Sequence, residues 1–211
     1  MKIPQQKTSL IICKVYFLKT MPNTLDYIHK TITSIIEVNN DEWNYFSGLF
    51  EVKELKKKEI LLHADTICKN IYFVNSGLLR IYFTDNNGRE SSFHFVPEHD
   101  FATDYESFLQ QTPSKYFIQA LEDTQVVIIS NNMVLDGFKK LRYGEKLGRK
   151  LTEKYFILYC KKIQALYTQT PLDRYREMNK LFPFVLQRVP QHYIASYLNI
   201  SSVHLSRLKN E

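Results

Sequence analysis

The residues with the most specific chemistry lie close to the C-terminus, in a short stretch that begins at Ser201. If this stretch is helical, small and polar residues share its outer side, namely Ser202, Val203, His204, Ser206 and Arg207. Leu205 and Leu208 would then face inward. An arginine guanidinium can donate two hydrogen bonds to the O6 and N7 atoms of guanine, and backbone amides at a helix start can bind phosphate. The stretch therefore predicts a surface that contacts DNA.

A second helix just before this stretch would position it. Pro190 suits a helix entrance, where the missing N–H costs nothing. The residues that follow at the spacing of one apolar helical face are Ile194, Ala195 and Leu198. Asn199 tolerates the left-handed backbone conformation that ends a helix. Ile200 would fill the angle between the helices, and Ser201 or Ser202 would cap the second one.

Together the two helices predict a helix-turn-helix whose second helix enters a major groove. Arg207 would read bases, whereas Arg188 and Lys209 would contact phosphates. The full set of predicted DNA contacts is Arg188, Gln191, Ser201, Ser202, Val203, His204, Ser206, Arg207 and Lys209. An ordinary helical hairpin without nucleic acid remains the alternative.

The charge distribution agrees with a DNA-binding C-terminal end. The chain of 211 residues carries a net charge of +6, and residues 141–211 hold 13 Lys and Arg against 5 Asp and Glu. That leaves 15 Lys and Arg against 17 Asp and Glu in residues 1–140. Positive charge concentrated at one end attracts the phosphate backbone, although a solvated lysine-rich helix would show the same excess.

Composition indicates a globular protein of a reducing compartment. Apolar residues make up 44% of the chain and charged residues 24%. Cys13, Cys68 and Cys160 are far apart, which argues against disulfides or a cysteine-based metal site. The apolar run from residue 9 to 18 is interrupted by Lys14 and is too short to cross a membrane. We expect a cytoplasmic protein that does not bind membranes.

Four segments follow from the changes of pattern along the chain. Residues 1–23 are predicted to be an N-terminal arm or an extension that arises from an upstream start codon, because Met21 looks like a natural start. Residues 24–142 would form a β-roll preceded by helices, since short β-type runs fill residues 50–130 and Gly77 and Gly88 mark turns that need positive φ. Residues 143–169 would form one long helix, and residues 170–211 would hold the helix-turn-helix.

The long helix is predicted to form a dimer. Its apolar residues fall three and four positions apart along the whole segment, which is typical of a seam between two helices. The predicted seam residues are Leu147, Leu151, Tyr155, Leu158 and Leu166. Packing of the same stripe along the roll is the alternative.

These elements, in this order, resemble the Crp/Fnr superfamily of bacterial transcription regulators. The resemblance covers residue 24 to the C-terminus and is most specific in the stretch from Arg188 to Leu198. Weaker matches are Asp100-Phe101, Tyr105 to Phe108, Ala120 to Asp123 and Arg174-Tyr175. The wing hairpin of the family is missing, because residues 182–187 have a helical pattern.

The resemblance implies an α+β fold with an N-terminal β-roll of the double-stranded β-helix type, a long dimerisation helix and a C-terminal helix-turn-helix domain. It also implies a homodimer on an inverted repeat of double-stranded DNA, with RNA polymerase as a further partner. A small-molecule effector in the roll would shift the population of two dimer conformations.

The predicted effector pocket departs from the family. Its residues are Thr103, Asp104, Tyr105, Ser114, Lys115 and Tyr116. Cyclic-nucleotide-binding relatives carry Gly-Glu and then Arg-Ser or Arg-Thr at these positions, whereas this chain has Thr103-Asp104 and Ser114-Lys115. Because the arginine that pairs with phosphate is absent, we expect an effector other than cyclic AMP. No cysteine cluster is available for an iron–sulfur centre, and we expect no cofactor.

The sequence leaves two alternatives to a DNA-binding regulator. A cupin-like metalloenzyme would need histidines around a metal in the roll, and the candidates are His63, His94, Glu98 and His99. No nucleophile–base pair and no phosphate-binding glycine loop is present in the sequence, so we predict a protein that is not an enzyme and has no metal site. A ligand-binding roll whose helix-turn-helix makes only protein contacts is the second alternative.

Overall fold

The computed structural model describes residues 24–209, and the predicted arm, residues 1–23, lies outside them. The chain is α+β with antiparallel sheets at its centre. The helices are α1 (Asp26–Thr33), α2 (Asn40–Ser47), α3 (Tyr105–Gln110), α4 (Asn131–Lys140), α5 (Gly144–Thr168), α6 (Pro171–Leu181), α7 (Val185–Arg188), α8 (Gln191–Tyr197) and α9 (Ser202–Leu208). The strands are β1 (Glu51–Leu55), β2 (Ile60–Leu62), β3 (Asn70–Ser76), β4 (Leu79–Thr84), β5 (Glu90–Val96), β6 (Phe101–Ala102), β7 (Phe117–Ala120) and β8 (Thr124–Ser130).

The strands form a roll of two four-stranded antiparallel sheets. One sheet has the order β1-β8-β3-β6 and the other the order β2-β7-β4-β5, so most neighbours are distant in the sequence. Gly77 and Gly88 have φ of 95° and 75°, as predicted. A Cβ atom on Gly77 would lie 2.4 Å from Thr124 Oγ1, so only glycine fits that turn. Every predicted β-type run is a strand, and the two-residue β6 was not predicted.

Apolar side chains on the outer side of the β3–β8 sheet bury the N-terminal helices. Ile28 of α1 packs against Phe73, Phe101 and Val127 in one cluster. Asn39 begins α2 with a reciprocal cap: its side chain accepts from the Glu42 backbone N–H, and the Glu42 carboxylate accepts from the Asn39 N–H. Helices α1 and α2 therefore cover this side of the roll.

The C-terminal helices share a second core with the other side of the roll. Leu78 and Phe95 of the roll pack in one cluster with Phe182, Val185 and Leu198. Among residues 131–209 the structure contains no strand, which agrees with the missing wing hairpin. The helical pattern of residues 182–187 corresponds to α7, which begins at Val185. No helix among the described residues is long and apolar enough to cross a membrane.

Candidate nucleic-acid interface and effector cavity

The turn between α8 and α9 has the geometry that the sequence predicts. Pro190 precedes α8 in an extended conformation, and Ile194 and Ala195 are buried. Asn199 adopts φ of 54°, and the Ile200 N–H donates to the Ala195 carbonyl at 3.0 Å. This hydrogen bond across a left-handed residue ends α8 sharply and redirects the chain.

Helix α9 has one buried side and one exposed side. Ser201 caps it, because its Oγ accepts from the His204 backbone N–H at 3.1 Å. Leu205 and Leu208 are buried in the C-terminal core, as predicted. The exposed residues of the helix are Ser202, Val203, His204, Ser206 and Arg207. The predicted DNA contacts on α9 therefore lie together on its outer side.

Of the predicted contacts outside α9, Gln191 is exposed at the start of α8 and Lys209 is half-buried just after α9. Arg188, predicted as a phosphate contact, is half-buried and is held by two carboxylates of the roll. Its guanidinium forms ion pairs with Glu98 at 2.7 Å and Glu122 at 2.5 Å, both in loops of the roll. Hydrogen bonds to these carboxylates raise the pKa of Arg188. The side chain attaches the C-terminal helices to the roll, so its charge is already neutralised.

Arg80 is a second arginine between the roll and the C-terminal helices, and the sequence did not single it out. It is fully buried on β4, where its Nε donates to Ser92 Oγ at 2.9 Å and Nη1 pairs with Glu90. Its guanidinium carbon lies 3.6 Å from the ring centroid of Tyr193 in α8 and 4.2 Å from that of Tyr82. The only sequence signal was an arginine inside an otherwise apolar strand run.

One side of α5 packs on the roll within the same chain. Leu151 joins the cluster around Phe101, and Tyr155 donates a hydrogen bond to Asp100 and accepts one from the Phe101 N–H at 3.1 Å. Lys154 forms an ion pair with Asp100 at 2.9 Å. The predicted seam residues Leu151 and Tyr155 therefore make contacts within the chain, which is the alternative that the sequence left open.

A second side of α5 carries exposed apolar side chains, the first of which, Phe156, also borders the cavity described below. Phe156, Ile163 and Tyr167 are 68%, 54% and 86% exposed, and Cys160 lies between them and is also exposed. Their spacing of four, three and four residues puts them on one line along the helix. Of the remaining predicted seam residues, Leu147 lines a cavity, Leu158 is half-buried and Leu166 is 38% exposed.

A cavity of about 440 Å³ lies between the roll, the N-terminal helices, α4 and the first half of α5. Four of the predicted pocket residues line it, namely Thr103, Asp104, Tyr105 and Tyr116. Ser114 is buried, and its hydroxyl donates to Asp104 Oδ2 at 2.7 Å. Lys115 is exposed and is not among the lining residues. Four of the six predicted pocket residues thus line one cavity, and one of them, Asp104, is already hydrogen-bonded to Ser114.

The candidate metal ligands named from the sequence do not form one cluster. His94 is buried between aromatic rings, where burial lowers its pKa to about 3. Glu98 pairs with Arg188, and His99 stacks on Tyr27 at 4.1 Å between ring centroids. No group of three or more His, Cys, Asp or Glu side chains within residues 24–209 could hold a metal ion.

Residues 52–140 match the cyclic nucleotide-binding domain family. FixK2 from Bradyrhizobium japonicum is similar in structure, with a TM-score of 0.63 and 18% identity over 76% of this chain and 83% of that one. A protein described as a Crp/Fnr family transcriptional regulator from Eubacterium rectale has the same score and identity over 82% of each chain. The catabolite activator protein of Thermus thermophilus scores 0.55 at 16% identity over 85% of each. No curated protein matches the sequence.

Proposed function

We propose that this chain, which contains a cyclic nucleotide-binding-type domain and shares its fold with Crp/Fnr regulators, is a sequence-specific DNA-binding transcription regulator that acts as a homodimer. The observation that carries the proposal is the α8–α9 pair, with its capped turn and an outer side of α9 that is exposed throughout. RNA polymerase as a partner and a cytoplasmic location stay predictions.

Base contacts would come from the exposed side of α9. Arg207 is exposed one turn after the start of the helix, and its guanidinium can pair with guanine O6 and N7. Ser202 and Val203 lie at the helix start, which is the end that meets base edges in helix-turn-helix proteins. Lys209 and the cap at Ser201 would hold phosphates.

Dimerisation would use the exposed line on α5 defined by Phe156, Cys160, Ile163 and Tyr167. Three large apolar side chains exposed along a single line are unusual on a monomer and are typical of an interaction surface. Two parallel copies of α5 packed along this line would give the dimer a two-fold axis. Two copies of α9 would then face DNA in opposite orientations, which requires an inverted repeat.

Helix α5 also connects the cavity to the C-terminal helices. Its first half lines the cavity through Leu147 and Leu151. Farther along, Lys162 donates to the Phe93 carbonyl and lies 3.9 Å from the ring centroid of Tyr197 in α8. A shift of α5 on effector binding would therefore reach both the seam and the helix-turn-helix, which is a route for population shift.

A mobility-shift assay with fragments of the genome that encodes the chain tests this function. We expect a subset of fragments to be retarded in competition with bulk DNA, and Arg207→Ala to reduce that preference by the loss of one base contact in each half-site. Lys180→Ala, which removes an exposed charge from α6, is the matched control and should bind as the wild type does. If the wild-type protein retards all fragments equally, or none, the proposal is wrong and a ligand-binding module without DNA recognition is favoured.

A further inference from the structure

The wall of the cavity contains no positive charge. None of the described residues that line it is Lys, Arg or His, whereas Glu42, Asp104 and Glu106 contribute three carboxylates. A phosphate, sulfate or carboxylate group entering a partly buried site of this sign would lose its hydration and gain no ion pair. The cavity is therefore unsuited to anionic ligands, including cyclic nucleotides.

The carboxylates are equally unsuited to pairing with a cationic ligand. Asp104 is only 7% exposed and already accepts hydrogen bonds from the Ser114 hydroxyl and the Ser107 N–H. Glu42 accepts from the backbone N–H groups of Asn39 and Arg142 at 2.9 and 2.7 Å. Asp104 and Glu42 are thus used for structure, as helix caps and loop anchors, and Glu106 is exposed.

Aromatic rings form most of one wall and offer two hydroxyl groups. The ring centroid of Phe93 lies 5.2 Å from that of Tyr116 and 4.8 Å from that of Tyr159. Burial raises the pKa of both tyrosines, so both are neutral donors at physiological pH. Both tyrosines line the cavity, and within residues 24–209 neither hydroxyl is hydrogen-bonded to a protein group. A ligand can therefore accept a hydrogen bond here without displacing a protein group.

We propose that the cavity binds an uncharged, largely apolar small molecule that accepts a hydrogen bond from Tyr116 or Tyr159. A volume of about 440 Å³ is in the range of small-molecule sites, and apolar walls with a few polar groups are their usual composition. Binding itself is independent of DNA recognition. Only the further step, in which the ligand changes DNA affinity through α5, rests on the proposed function.

Titration of the full chain with Nile red, an uncharged apolar dye with a carbonyl acceptor, tests the site. We expect saturable fluorescence at one dye per chain, competed by neutral 1-decanol but neither by decanoate at equal concentration nor by cyclic AMP. Leu151→Trp, which fills the cavity, should weaken dye binding at least tenfold. Leu109→Trp makes the same change at a position 58% exposed and outside the cavity, and should bind normally.

Two further variants keep the test decisive if Leu151→Trp fails to fold. Val134→Phe fills the cavity from α4 and should also weaken binding, whereas the Tyr116→Phe, Tyr159→Phe double variant should weaken it about fivefold per lost hydrogen bond. The proposal is overturned if a folded cavity-filling variant binds the dye normally, if the dye does not bind, or if cyclic AMP displaces it at micromolar concentration. A mobility-shift assay run in parallel separates failure of DNA recognition from failure of the site.

Discussion

The two sides of α5 carry apolar residues at the same helical spacing, yet they face different surroundings. On one side Leu151 packs on the roll and Tyr155 hydrogen-bonds with Asp100 and the Phe101 N–H. On the other side Phe156 and Tyr167 are 68% and 86% exposed. Spacing alone identifies an apolar helical face, but it does not say whether the partner belongs to the same chain or to a second copy.

The two sides of α5 are therefore expected to have different roles. The roll side has specific polar contacts that fix α5 against the cavity, including the Lys154–Asp100 ion pair. The exposed side has large apolar groups whose burial would release a free energy of about 1.5–3 kcal/mol each. We therefore expect substitutions on the exposed side to break the dimer and those on the roll side to destabilise the chain.

The largest effect is expected for the Phe156→Asp, Ile163→Asp double variant. Two charges in the seam should weaken dimerisation by several kcal/mol, because each would be buried without a partner. Sedimentation at micromolar concentration should show a folded monomer. Ile157→Asp places the same charge beside the line, at a position 54% exposed, and should remain dimeric. If the double variant sediments as a dimer, the seam is elsewhere.

Oxidative cross-linking sharpens the assignment of the seam. Cys160 lies on the exposed line, so in a parallel dimer the two Cys160 residues would face each other near the two-fold axis. In a Cys13→Ser background, with Cys68 buried, mild oxidation should give a covalent dimer in high yield. Moving the cysteine to the roll side, with Cys160→Ser and Leu158→Cys, should abolish cross-linking. Equal yields from both would contradict the division of the two sides.

A smaller effect, dependent on pH, is expected at Lys162, where α5 meets both the roll and α8. Burial lowers its pKa from 10.5 to about 7 in the folded chain. Between these two values the unfolded chain binds more protons, so the stability of the wild type rises with pH over this window. Below pH 7 both states are protonated, and the full penalty for burial is present.

Lys162→Met removes that penalty. The free energy of unfolding at pH 7 should therefore increase by an amount on the order of 3 kcal/mol. The gain should shrink as the pH approaches 10.5. Urea unfolding at pH 7, 8.5 and 10 measures it, and Lys161→Met at the exposed neighbouring position is the control. If the gain does not change with pH, burial of the charged form of Lys162 is not what destabilises the wild type.

The smallest effect is expected for Tyr155→Phe on the roll side. The variant keeps the ring and removes the hydroxyl that bonds to Asp100 and to the Phe101 N–H. Urea unfolding should show a loss of about 1–2 kcal/mol. Sedimentation should show an unchanged dimer, and a monomer at this point would place Tyr155 in the seam after all.

Local features of the fold were predictable because single residues determine them. The left-handed Asn199, the Ser201 cap and the positive φ of Gly77 all follow from what those residues permit in a turn. The succession of short strands within residues 50–130 was equally clear, because turn residues separate the apolar runs.

Contacts between distant segments were not predictable. Arg188 lies just before the helix-turn-helix in the sequence, where nothing indicates a partner, but Glu98 and Glu122 come to it from loops that are far away in the chain. The burial of Arg80 and the covering of Leu151 by the roll have the same origin. The spacing of apolar residues predicts which residues share a face of a helix or strand. Only the folded structure shows which residues pack against that face.

Binding-site selection from random duplexes tests most directly whether α9 reads DNA as part of a symmetric dimer. We expect an inverted repeat with half-sites about 34 Å apart from centre to centre. We also expect Arg207→Ala to lose preference at one symmetric base pair, a change worth about 1–3 kcal/mol, and Lys209→Ala to weaken binding to every sequence. If the wild type selects no sequence, or if Arg207→Ala selects the same repeat as the wild type, α9 does not read DNA in this way.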